Sequence, residues 1–308
     1  MTSHDPLRIF TRVAELGSFT QAALGLGMTK TNASHAVRQL ELRLGTRLLQ
    51  RTTRRVQLTQ DGQLFYERCK DVLDDLEELH GLFQHDGSQP LRGRVRLDMT
   101  TITARSLVIP RLPELLAEHP GLELEISATE RRVDLVREGF DCVLRAGPLA
   151  DNALVARPLG RMTMVNCASP DYLARQGTPR TLADLSRHRL VHYVPTLGGK
   201  SAGFEYVENG EDRRIAMAGA ITVNNAESYA AACMAGLGLI QAPLMGLREH
   251  LSSGRMVQVL PEHRARAMPL SLIYPHRRQL PRRVRVVMDW LAAVLAPQLE
   301  TAPSPPTI

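Results

Sequence analysis

The sequence predicts a chain of two unlike parts: an α-rich N-terminal domain of winged helix-turn-helix type, then a C-terminal α/β domain. Three observations predict this. The excess positive charge is confined to one end of the chain. Two short helical patterns near that end are separated by a glycine turn. From Leu91 onward, strand-like and helix-like patterns alternate, as in sheets covered by helices.

The chain of 308 residues is longer than one ordinary core supports. Its net charge is +6. Residues 1–60 hold nine Lys/Arg against three acids, and the remainder balances at 29 of each. Charge localised in this way is an electrostatic footprint of phosphate binding. No run of apolar residues is long enough to span a membrane. Met1 to Phe10, with His4, Asp5 and Arg8, lacks the apolar stretch of a secretory signal, so a cytoplasmic location is expected. Cys69, Cys142, Cys167 and Cys233 form no CxxC or Cys/His pair of metal-binding spacing. They read as buried thiols in a reducing compartment, with no metal and no cofactor.

Leu7, Phe10, Val13, Ala14 and Leu16 recur at helical spacing, and Gly17 ends that helix. Thr20 is placed to cap a second helix, which stops at Gly27. Thr29 is an N-cap for a third, Lys30 to Leu44, anchored by Val37, Leu40, Leu42 and Leu44 and ended by Gly45. In a helix-turn-helix the second helix presents its N-terminal part to base edges in the major groove. Here Lys30 can donate to guanine and Asn32 can pair with adenine, while Thr31 and Ser34 can meet base or phosphate. His35 and Arg38 lie within reach of phosphates. Val56 and Leu58 then alternate with polar residues in a short strand. Arg51, Thr53, Arg54 and Arg55 form a basic wing tip suited to phosphates or the minor groove.

Asp61 to His85 lacks proline and carries Phe65, Cys69, Val72, Leu76, Leu79 and Phe83 at alternating steps of four and three. That is a heptad seam on a helix about 37 Å long. An intermolecular coiled coil is the preferred reading, because a two-fold dimer presents paired recognition helices to paired half-sites. Asp86 to Pro90 breaks the helix as a hinge, and Thr301 to Ile308 reads as a disordered tail.

The α/β part begins with a strand at Val95–Met99, a helix from Thr103 to Glu118, a strand at Leu122–Ala128 and a buried strand at Asp141–Ala146. Later come a hairpin about Asn209-Gly210, a helix from Ala226, strands ending near Ala242 and Tyr274, and a closing helix to Leu295. The alternation predicts parallel sheet. Ligands of such sheets sit at the carboxyl ends of strands. Three such ends supply Thr100 and Thr101, Thr129, and Asn224 and Asn225, with Arg145 able to pair an anion. The expected effector is therefore a small, anionic metabolite.

Four stretches carry a resemblance to a known family: Gly17-Ser18-Phe19-Thr20-Gln21-Ala22-Ala23, Leu26 to Ser34, Leu40 to Thr53, and Leu58-Thr59-Gln60-Asp61-Gly62. In order, spacing and residue class they resemble the LysR-type transcriptional regulators. Lys30 stands where that family often has Gln, and His35 where it often has Arg. These departures bear on which operator is read. The resemblance implies double-stranded promoter DNA and a small-molecule effector as partners. It also implies a homodimer, commonly a tetramer, and RNA polymerase as a further partner. For the C-terminal part it implies a periplasmic-binding-protein-like effector domain of two subdomains. The implied boundaries are residues 1–60 for DNA binding, 61–90 for the linker helix and hinge, and 91–300 for the effector domain. Its subdomains would be 91–161 plus 268–297, and 162–267.

Other classes fit less well. An enzyme would need a recognisable site, and the sequence has no GxSxG, HExxH or GxxxxGK[ST]. A solute-binding protein would fit the C-terminal part without the basic helix-turn-helix. A non-specific DNA-coating protein would show one salt slope for every sequence, whereas a regulator prefers its operator.

Overall fold

The computed structural model describes residues 6–51, 56–81, 91–147, 154–275 and 280–300. They fall into two compact units, Met1–Arg94 and Val95–Ile308.

The first unit is built from α1 (Pro6–Leu16), α2 (Phe19–Gly25), α3 (Lys30–Leu44), β1 (Leu49–Arg51), β2 (Val56–Leu58) and α4 (Gln60–Gly81). Its core joins Ile9, Phe10 and Val13 of α1, Ala22 and Ala23 of α2, Ala33, Val37 and Leu40 of α3, and Leu48. Ala33, Val37 and Leu40 lie one turn apart on a single face of α3. Ser18, not the expected Thr20, caps α2: its hydroxyl accepts from the Gln21 amide at 3.3 Å. Thr29 caps α3 through the Asn32 amide at 3.2 Å, and Gly45 ends it in the left-handed region. Leu42 and Leu44, expected as anchors, are 65% and 44% exposed. They sit past the last turn that faces the core.

The wing is fastened by side chains. Glu41 Oε1 accepts the amides of Leu48 and Leu49 at 2.8 and 3.0 Å. The Thr59 hydroxyl donates to the Arg47 carbonyl at 2.7 Å and accepts the Gly62 amide at 2.9 Å, capping α4. Thr46 donates to Asp61 at 2.8 Å. β1 and β2 pair antiparallel from Leu49–Leu58 to Arg51–Val56.

The helix α4 corrects part of the proposed seam. Cys69 is 3% exposed and Phe65 packs beside it, both in the core of their own unit. The Phe65 ring lies 5.5 Å from that of Phe10. A residue already covered by its own domain has no face left for a partner helix. Val72 is exposed and Leu76 half-buried. Phe83, the hinge at 86–90 and the tail at 301–308 lie outside the described residues, as does the Leu79 side chain.

β3 (Arg92–Met99) crosses the boundary, and the second unit continues with α5 (Thr101–Thr103), a π segment at Ala104–Val108, a 3-10 turn at Ile109–Arg111, and α6 (Leu112–Glu118). A single helix was expected there. Pro110 and Pro113 lack the amide protons a regular helix needs, so the ladder changes its period. Next come β4 (Gly121–Ala128), α7 (Leu135–Glu138), β5 (Cys142–Ala146), β6 (Leu154–Met162), β7 (Met164–Ala168) and α8 (Pro170–Gln176). β8 (His192–Tyr193) precedes the hairpin β9 (Phe204–Glu208) and β10 (Glu211–Ile215), whose turn holds Asn209 and Gly210 at φ of 53° and 81°. The chain continues with β11 (Thr222–Val223), α9 (Ala226–Met234), β12 (Ile240–Pro243), α10 (Leu244–Ser252), β13 (Val257–Gln258), β14 (Met268–Pro275) and α11 (Arg282–Leu295).

Two main sheets result. The larger has the order β4-β3-β5-β14-β6, the smaller β12-β7-β13. The larger is mixed and the smaller antiparallel, not parallel as expected. β3 and β5 are parallel, but β14 is antiparallel to both β5 and β6, and β7 to both its neighbours. The cause is topological. β6 leads out of the larger sheet towards the smaller and β14 leads back, so the two must run in opposite directions. The larger core gathers Val95, Leu97, Met99, Leu144, Leu272, Val287 and Leu291. The smaller one gathers Val165, Cys167, Tyr229, Cys233 and Ile240.

Candidate functional site

The exposed face of α3 follows directly from its buried one. With Ala33, Val37 and Leu40 turned inward, Lys30, Thr31, Asn32, His35 and Arg38 are exposed and Ser34 is half-buried. The Thr29 cap fixes the start of the helix, so these side chains project from its first two turns. Thr53, Arg54 and Arg55 lie outside the described residues, and so does the Arg51 side chain.

In the second unit a cavity of about 380 Å³ opens among the ends of both sheets. Thr100, Thr129 and Arg145 line it, as expected. Thr101, Asn224 and Asn225 do not. The Thr101 hydroxyl turns back to the Ala128 carbonyl at 3.4 Å. Asn225 caps α9, accepting the Ser228 amide at 2.8 Å, and Asn224 is exposed. Capping occupies Asn225, and a bond to the end of β4 occupies Thr101.

Arg145 is not an open anion site. Its guanidinium pairs with Asp98, which is fully buried, and also donates to the carbonyls of Arg131 and Leu144, both at 3.1 Å. The Thr129 hydroxyl donates to the other Asp98 oxygen at 3.0 Å. The network ties β3, β5 and the end of β4 together, and the argument for an anionic ligand at Arg145 fails with it.

Sequence reasoning missed Glu130, Tyr193, Tyr229 and Gln241, all lining the cavity. Glu130 directly follows Thr129 at a strand end, which was the available signal. Burial pushes its carboxyl above the ordinary range; the Thr101 amide and Arg145 oppose this, while Asp98 and Glu227 add to it. Burial, then Glu130, likewise raises the Tyr193 phenol. The wall beside them is rigid. Tyr229 Oη accepts the Gln241 amide at 3.0 Å, and the Gln241 side chain bonds Asn166 at 2.8 Å and the Glu205 backbone at 2.6 and 2.7 Å. Outside the cavity lining, Arg105, just after α5, meets Glu227 of α9 at 3.0 Å.

A helix-turn-helix unit carried on the same chain as a two-sheet α/β unit enclosing a cavity defines a transcription regulator with a ligand-sensing domain. Residues 4–63 match the bacterial regulatory helix-turn-helix protein family of lysR type, and residues 88–296 match the LysR substrate binding domain. The chain belongs to the LysR-type transcriptional regulators. It is 48% identical over 294 residues to the HTH-type transcriptional regulator YhjC of Escherichia coli, covering 96% of this chain and 98% of that one. It is 31% identical to the HTH-type transcriptional activator AaeR of the same species, over 92% of this chain and 91% of that one. Among solved structures it resembles CrgA of Neisseria meningitidis, with a TM-score of 0.59 and 27% identity over 94% of this chain and 98% of that one. Full-length AphB of Vibrio cholerae matches with a TM-score of 0.55, also at 27% identity, over 94% and 98% of the two chains. LysR-type regulators bind DNA and small-molecule effectors.

Proposed function

We propose that this chain reads a specific promoter operator with α3 and that a small molecule in the cavity alters that binding. The observation that supports it is the division of α3 into a buried apolar face and an exposed face carrying Lys30, Thr31, Asn32, His35 and Arg38. Lys30 and Asn32 address base edges, Thr29, Thr31 and Ser34 base or phosphate, and His35 and Arg38 phosphates. Arg51, Thr53, Arg54 and Arg55 add wing contacts. The protein acts in the cytoplasm as a homodimer or tetramer, with RNA polymerase as its downstream partner. Self-association runs along α4 through Val72, Leu76, Leu79 and Phe83. Thr100 and Thr129 belong to the effector site, with Arg145 as its structural tie. Residues 1–60, 61–90 and 91–300 serve as reader, linker and sensor.

Footprinting on the DNA flanking its own gene, with and without a metabolite extract, tests this. Protection of a defined operator is expected, and Asn32→Ala should cost about 1–3 kcal/mol at one base position. Equal affinity for all sequences would overturn the reading. For the linker, Val72→Asp should lower the sedimenting mass. An unchanged oligomer that binds operator normally would sink that placement.

A further inference from the structure

Three carboxylates act on one another at the cavity, Asp98, Glu130 and Glu227, and two of them face an arginine. Asp98 is matched by Arg145 and Glu227 by Arg105. Glu130 is not matched: its Oε1 is buried and finds no hydrogen-bond donor among the described residues. Arg132 also lines the cavity, but it is exposed, where water and salt screen its charge. A buried carboxylate oxygen without a donor is costly, and the cost vanishes when a ligand supplies one.

The walls beside Glu130 are aromatic and apolar. Tyr193 and Tyr229 line the same cavity with ring centroids 5.4 Å apart, together with Met164, Met245 and Leu270. Aromatic faces attract cations, and the thioether and aliphatic side chains suit an apolar body. The volume fits a small organic molecule.

We propose that the effector is a small organic ammonium compound, its protonated amine held by Glu130 against the Tyr193 and Tyr229 rings and its apolar body filling the cavity. This rests on the reading of the cavity as the effector site and replaces the anion expected from Arg145.

The test uses the full chain and calorimetry. Benzylamine, phenethylamine and hexylamine are each titrated against the carboxylic acid of matching length. At least one amine should bind roughly tenfold or more tightly than its acid. Glu130→Gln, with folding checked by circular dichroism, should weaken that amine by roughly ten- to hundredfold. Tyr193→Leu should weaken it by a smaller factor. Acids that bind as well as amines, full amine affinity in Glu130→Gln, or no amine binding at millimolar concentration would each overturn the proposal. A metabolite extract that still shifts the operator footprint while amines fail leaves the cavity as an effector site and removes only the ammonium assignment. A footprint that neither extract nor amine alters would remove the effector reading itself.

Discussion

Alanine at position 62 separates two opposed effects. Gly62 lies in the first turn of α4 with an ordinary helical backbone, so helix propensity alone predicts that Gly62→Ala stabilises by about 1 kcal/mol. The packing predicts the reverse. A Cβ there would sit 1.9 Å from the Leu48 carbonyl oxygen and 2.8 Å from its carbon, against ordinary contact from 3.4 Å. Both sides of the clash are backbone, and the same carbonyl accepts the Thr59 amide at 2.9 Å. α4 must therefore part from the wing by about 1.5 Å, which falls at the upper end of overpacking costs, about 3 kcal/mol. The net expectation is a loss of about 2 kcal/mol. Urea unfolding followed by far-ultraviolet circular dichroism reads it. The single tryptophan, Trp290, lies in the other unit, so its fluorescence transition should stay in place. A variant as stable as wild type, or more so, with normal operator affinity, would refute the contact between helix and wing.

Three further outcomes are expected. Asp98→Ala strips Arg145 of its counter-charge and Thr129 of its acceptor, so the sensor unit should lose about 3–5 kcal/mol; a loss below about 1 kcal/mol in urea titration would make the network incidental. The raised Glu130 carboxyl means that its contribution to stability is fully present below its ordinary value of 4.5 and is lost as pH rises through the folded value. Glu130→Gln should therefore raise the melting temperature near neutral pH and not below 4.5, and an equal difference at both would contradict the burial of that group. All four cysteines are buried, and burial pushes the Cys167 and Cys233 thiols up to about 12. Ellman's reagent should react with none in the native chain and with four in denaturant, and a fast native thiol would count against this packing.

What could be read from sequence followed from short-range chemistry. Thr29, Gly45 and Asn209-Gly210 act within a few residues of themselves, and their roles in capping and turning needed no partner. The motif residues Glu41, Thr46, Thr59 and Gly62 were recognisable as a pattern, but their work is done across the gap between α3, the wing and α4. Cys69 and Phe65 fitted a heptad because a core-facing stripe and an intermolecular seam share the same period at the base of a helix. Periodicity carries no information on which neighbour covers the stripe. At the cavity, strand ends located the region and picked Thr100, Thr129 and Arg145. The state of Arg145 depended on Asp98, 47 residues away in sequence, and that pairing left Glu130 as a lining carboxylate without an arginine.

The ribbon of β6 and β14 joins the two sheets through residue pairs running from Met268–Met162 to Pro275–Leu154. Two hydrogen-bonded strands resist stretching and sliding far more than bending, so this ribbon fixes the spacing of the two sheets. Glu300 is stitched onto it. Its backbone exchanges hydrogen bonds with Arg161 at 2.8 and 3.1 Å, and its carboxylate takes the Thr163 hydroxyl. A cargo fused just after that residue would hang from the junction of the two sheets itself, a load that an N-terminal fusion does not place there.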